Sequence, residues 1–92
     1  MEDVNKQLQY VINRIKEIRT QKSVSQLELS VKSNLSQSFL ANIEKGKKQP
    51  SVLTLLRIAS ALNVSPKAFL PENENISKDD LKDTIISLVR AL

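Results

Sequence analysis

Apolar positions along this chain recur at intervals of three and four residues, and runs that alternate with period two are nearly absent, which predicts an all-α fold. In residues 5–22, Leu8, Val11, Ile12, Ile15 and Ile18 fall on one stripe, with Asn13, Arg14, Lys16 and Glu17 on the polar side. Ser23 and Val24 break this helix. Ser25-Gln26-Leu27-Glu28 then has the capping-box pattern, Ser at the cap and Glu three residues on, and predicts the start of a short second helix. Ser33-Asn34-Leu35 interrupts it, Asn34 being a residue that tolerates the left-handed backbone of a tight turn. Ser36 caps a third helix that continues to Lys45, and Gly46 ends it.

The basic loop Lys47-Lys48-Gln49-Pro50 leads to Ser51, the cap of a fourth helix whose predicted inner face is Val52, Leu55, Leu56, Ile58, Ala59 and Leu62. Ser65-Pro66 starts a brief fifth helix, with Pro where its missing N–H costs nothing. Residues 1–70 thus form the first domain, residues 71–76 read as a polar linker, and residues 77–92 as a C-terminal helix. Ser77-Lys78-Asp79-Asp80 caps that last helix, which carries Leu81, Ile85, Leu88 and Leu92, flanked by Val89.

Composition narrows the chemistry. With no Cys or His in 92 residues there is no disulfide framework, no thiolate or imidazole metal site and no histidine base; the expectation is neither metal nor cofactor, and no enzyme. A single Gly leaves no phosphate-cradling loop of the dinucleotide or Walker type. The longest apolar stretches are far too short to span a bilayer, and no signal peptide opens the chain, so the expected location is the cytoplasm, without a membrane partner. Charge is unevenly placed: residues 1–70 carry 11 basic and 5 acidic side chains, a balance of +6, whereas residues 71–92 carry 3 and 5, a balance of −2. Positive charge favours a polyanionic partner, nucleic acid or anionic lipid, without separating these from a merely solvated surface.

Two short helices joined by a tight turn, the second followed by a basic loop, is an arrangement that can lay a helix in the major groove. Projected at one residue per 100°, the third helix turns Leu40 and Ile43 inward and Ser38, Ala41, Asn42 and Lys45 outward, with Gln37 at its N-terminal edge and no acid among them. Gln and Asn bond bidentately to adenine, and small Ser and Ala allow close approach, although an ordinary solvated face would look the same.

Ser25-Gln26-Leu27-Glu28-Leu29, then residues 34–46, then Pro50-Ser51 and Leu55 to Leu62 with Asn63-Val64-Ser65, together resemble the lambda-repressor-like, Cro-type (XRE) helix-turn-helix family. The resemblance implies a five-helix DNA-binding domain, here followed by a C-terminal helix. It implies base reading by Gln37, Ser38 and Asn42 and a backbone contact from Gln26; position beside the third helix makes Lys47, Lys48 and the helical start at Ser51 candidates for phosphate, and Lys45 can reach phosphate or guanine. Nucleoid association when bound to double-stranded DNA follows. The chain departs from the family pattern at Asn34, where a glycine is usual, and at Ser30 and Ser33, where apolar residues are usual; Leu27 and Val31 stand where polar residues are commoner.

Arg19 projects onto the core stripe of the first helix and Glu44 onto that of the third, so a mutual salt bridge is the natural resolution, one the resemblance also implies. The seam Leu81, Ile85, Leu88, Val89 and Leu92 must bury against something. Either it forms a homodimer, which would make a repressor reading an inverted repeat, or it folds back on its own domain. A rival from another class is an antitoxin or adaptor whose C-terminal helix binds a partner protein. An enzyme with a hard-metal site at Asp79, Asp80 and Asp83 is a distant third, because acids in the first turns of a helix are more simply dipole partners and solvent contacts.

Overall fold

Each α-helix whose start lies among the described residues begins on a side-chain oxygen. In the computed structural model, which describes residues 3–72 together with Ile85, Leu88 and Val89, the chain is all-helical, with no strand among the described residues. Within residues 3–72, four α-helices, α1 (Val4–Gln21), α2 (Gln26–Ser33), α3 (Gln37–Glu44) and α4 (Val52–Leu62), are followed by a 3-10 turn, Pro66–Phe69. The expected fifth helix is therefore only that turn: four residues between Ser65 and Leu70 are too few to close a run of α-type hydrogen bonds. Asp3, Ser25, Ser36 and Ser51 accept the N–H groups of Asn5, Glu28, Phe39 and Thr54 at 2.9–3.0 Å, satisfying amides that the first turn leaves open.

The C-terminal ends share one device. Ser23, Asn34, Gly46 and Asn63 all adopt positive φ, at 56°, 57°, 77° and 57°. In each case that residue and the next donate back to the last turn, for instance Gly46 to the Ile43 carbonyl at 2.9 Å and Lys47 to that of Asn42 at 2.8 Å. After three of these turns an apolar residue, Val24, Leu35 or Val64, tucks against the core. After α3 the corresponding residue is Lys47, which stays exposed. The chain thus uses three Schellman ends to fix packing and leaves the fourth as a charged surface loop.

Val11, Ile15, Ile18, Leu29, Leu40, Ile43, Ile58, Ala59, Leu62 and Phe69 form the core. Phe69, buried at the end of the 3-10 turn, plugs it beside α1, and Arg14 fastens the same junction by donating from Nε to the Ala68 carbonyl at 3.1 Å. Arg14 is thus a bridging residue, not only part of the solvated side of α1; its Nη1 also holds Glu17 at 2.7 Å. On α4 the structure corrects the periodic reading: Val52 is exposed and Thr54 is buried. Thr54 sits in the first turn, where its hydroxyl accepts from Ser51 Oγ at 2.9 Å, so it enters the interior with its polar atom satisfied. Ser30 and Ser33 are buried for the same reason, their hydroxyls donating to the Leu27 and Leu29 carbonyls.

Leu81 and Leu92 of the expected seam, and Asp79, Asp80 and Asp83, lie outside the described residues, as does most of the 71–76 linker. Ile85, Leu88 and Val89 line an apolar groove with Val52, Leu55, Leu56, Pro66 and Leu70. Among the described residues no helix is long and apolar enough to cross a membrane.

Candidate nucleic-acid interface

Helix α3 is held from within. Leu40 and Ile43 are fully buried, which turns Gln37 and Ser38 to solvent and leaves Ala41 and Asn42 at the half-buried margin of the same face. Ser36 fixes its first turn and the Gly46 motif its last, so eight residues form a defined helix that would not persist alone. The side chains of Gln37, Ser38 and Asn42 make no hydrogen bond among the described residues, which leaves their donors and acceptors available at the surface.

One acid belongs to this helix, and the fold removes it from the surface. Glu44 accepts from Arg19 Nε at 2.7 Å and Nη2 at 2.8 Å, a bidentate pair whose side chains are 3% and 11% exposed. Arg19 spends its Nη1 on the Val24 carbonyl at 2.8 Å, which ties the α1–α2 connection into the same cluster. The pair neutralises the carboxylate where α3 ends, and Lys45, Lys47 and Lys48, all exposed, set the charge there. Both loop amides, of Lys47 and Lys48, are held by the Asn42 carbonyl at 2.8 and 3.2 Å, so the loop starts rigidly from the end of the helix.

Gln26, expected at the DNA backbone, opens α2 and reaches across to Glu44, donating from Nε2 to Oε1 at 3.2 Å. That contact was not visible in the sequence. It fixes the amide between the start of α2 and the end of α3 and leaves a second N–H and the carbonyl oxygen uncommitted. Ser51 is engaged as a cap, its Oγ accepting the Thr54 N–H and donating to the Thr54 hydroxyl, so any anion there would meet the first amides of α4 rather than the side chain. Lys45, Lys47, Lys48 and Ser51 lie along one short stretch immediately after the outward face of α3.

Two features escaped periodic reading. Gln9 and Asn13 on α1 are an i and i+4 pair joined by a 2.9 Å hydrogen bond, and Gln9 stands beside Gly46. Lys32 and Arg57 line a shallow hollow together with Asn34 and Ser60. Leu27 and Val31 are 57% and 73% exposed on the outer side of α2.

Comparison with known proteins places this arrangement. Over 66 residues the chain is 39% identical to the immunity repressor protein of Bacillus phage phi105, a match covering 72% of this chain and 46% of that protein. It is 32% identical over 72 residues to the transcriptional regulator SinR of Bacillus subtilis, covering 77% of this chain and 65% of the relative. The chain thus spans about half to two thirds of the length of these relatives. Among solved structures, the restriction-modification controller protein C.AhdI from Aeromonas hydrophila superposes with a TM-score of 0.66 at 29% identity, over 72% of this chain and 98% of that one. The N-terminal DNA-binding domain of SinR does so with a TM-score of 0.64 at 31% identity, over 72% and 97%. The sequence profile of the helix-turn-helix family matches residues 15–69, more than half of the chain and the whole stretch from mid-α1 to Phe69, and the chain accordingly belongs to that family, in its lambda-repressor-like branch.

Proposed function

We propose that the protein is a sequence-specific DNA-binding transcriptional regulator, a dimeric repressor that reads an inverted repeat through α3. The observation that carries this is the outer face of α3: Gln37, Ser38 and Asn42 present uncommitted donors and acceptors on a helix fixed at both ends, and its one acid is sequestered by Arg19. Gln37 and Asn42 suit bidentate contact with adenine, and Ser38 suits close approach. Gln26, Lys45, Lys47, Lys48 and the N-terminal amides of α4 at Ser51 supply sequence-independent phosphate contacts on either side. Relatives named as a phage repressor and a transcriptional regulator, and a solved DNA-binding domain of the same fold, support the reading. Its place of action is the cytoplasm, on the nucleoid.

The dimer rests on a second observation. Leu88 and Val89, though set against α4, are still 43% and 47% exposed, and Val52 and Leu53 of α4 are 37% and 49% exposed. Ile85, Leu88 and Val89 therefore cover α4 in part, and Leu88 and Val89 keep apolar surface that a second copy would bury. Two reading helices would then sit about 34–36 Å apart on one face of the duplex.

Selection of sites from random duplex DNA, with mass measurement of the resulting complex, tests both parts. Enrichment of an inverted repeat bound by two chains supports the proposal; no enriched sequence refutes it. A single chain on DNA whose tail instead captures another protein favours the adaptor reading.

A further inference from the structure

We infer that Gln9 and Asn13 form a phosphate-binding amide pair, which extends the DNA-contacting surface beyond the helix-turn-helix onto the N-terminal half of α1. The inference rests on the proposed DNA-binding role, but neither residue lies within the 15–69 family match, so nothing in that match assigns them.

The placement comes from packing. Arg19 turns one side of α1 toward α3 by gripping Glu44, and Gln9, Asn13, Lys16 and Thr20, at spacings of four, three and four, line the edge of that side without an acid among them. At its upper end Gln9 Oε1 lies 3.8 Å from where a Cβ on Gly46 would stand, against the turn that releases Lys47 and Lys48. Gln9 thus borders the turn that leads into the basic loop, with Asn13 bonded to it one turn further along α1.

Its chemistry suits an anion. Gln9 Nε2 donates to Asn13 Oδ1 at 2.9 Å. One amide oxygen is consumed by that bond, while the whole NH2 of Asn13 and the second N–H of Gln9 stay uncommitted; were the amides assigned the other way round, one full NH2 and one further N–H would still remain. Both side chains are exposed, so their donors are not needed by the fold. Neutral donors next to two lysines add geometric selectivity for a phosphate without adding charge. The expected effect is on affinity for every sequence alike, with the salt slope unchanged, because no counterion is released by an amide.

The test uses the 92-residue chain and the duplex it selects. Failure to select any duplex overturns the DNA-binding role and this inference together. Given a selected site, Gln9→Glu and Asn13→Asp place a carboxylate at the phosphate, and Gln21→Glu, exposed at the C-terminal end of α1 and about two to three turns further along it, makes the same charge change as a control. Each of the first two is expected to weaken binding more than about fivefold relative to the control, the scale of losing a charge-assisted hydrogen bond; a ratio at or below that overturns the inference while leaving the DNA-binding role intact. A second arm does not depend on the variants' acidity. Neutral methylphosphonates are introduced one at a time along the backbone, and one position should weaken the wild type but not the Gln9→Ala/Asn13→Ala variant. Equal sensitivity of both proteins at every position overturns the inference.

Discussion

Replacing Glu44 by Ala should be among the most damaging single changes outside the apolar core. The carboxylate accepts three hydrogen bonds, two from Arg19 and one from Gln26, and its side chain is only 3% exposed. Removing it strands the Nε and Nη2 donors of a guanidinium that is itself 11% exposed and still anchored by Nη1 to the Val24 carbonyl. Breaking such a buried pair costs about 3–5 kcal/mol, most of it the cost of an uncompensated charge. The slight opening at Arg19 lets water reach one edge, which favours the lower end, about 3 kcal/mol. A domain of this size has a total stability on the order of 5–10 kcal/mol, so the loss is a large fraction of it. Urea unfolding followed by helical circular dichroism reads the effect: with an m-value of about 1.5 kcal/mol/M, the midpoint should fall by about 2 M. The companion variant Arg19→Met/Glu44→Leu, which deletes both charges and fills their volume, should be more stable than Glu44→Ala alone. A loss below about 1 kcal/mol in Glu44→Ala would refute the reasoning, since the pair would then be behaving like one at the surface.

The remaining expectations concern recognition, backbone and assembly. Asn42→Ala should relax base preference at one position of the selected site at a cost of about 1–3 kcal/mol, whereas Lys47→Ala should weaken all sequences alike and lower the salt slope by about 1, both read from binding isotherms at several salt concentrations. Ser23→Gly should stabilise the fold by about 1 kcal/mol in the same urea assay, because Ser23 holds φ 56° and glycine removes the Cβ clash there; an unchanged or lower midpoint would count against it. Leu88→Asp, on surface that is 43% exposed, should leave helical content intact but shift sedimentation toward the monomer, and an unchanged sedimentation profile would argue that the seam is not an interface.

Much of this was legible in the residues because helix starts and stops are local chemistry. Ser25, Ser36 and Ser51 announce themselves as caps, and Asn34 as a left-handed turn. The opposing projections of Arg19 and Glu44 also sufficed to join two helices, since an unpaired charge aimed at the core has few alternatives. Periodicity failed where a short polar side chain could satisfy itself. Thr54 enters the interior by bonding Ser51 while Val52, at the first helical position, is left outside. Ser23 gave no sign of its left-handed backbone, because serine has no special preference for it and only the bonds from Ser23 and Val24 back to α1 impose it. At the candidate interface, the order of residues on α3 could be projected, but the reach of Gln26 to Glu44 and the approach of Gln9 to Gly46 could not. Both join segments distant in the chain, and only the packing of α2 and of α1 against α3 brings them together.

The way α3 is secured has a consequence for how such a protein can change. Its ends depend on Ser36 and Gly46, its interior on Leu40 and Ile43, and its charge balance on Glu44; the side chains of Gln37, Ser38 and Asn42 take no part in any of these. On the proposed reading of α3, stability and target choice are therefore written in separate letters of the same eight-residue word. Exchanging the outward letters for those of another regulator should retarget the protein with little change in its melting behaviour, so new specificities can be reached by drift through folded intermediates rather than across a stability barrier.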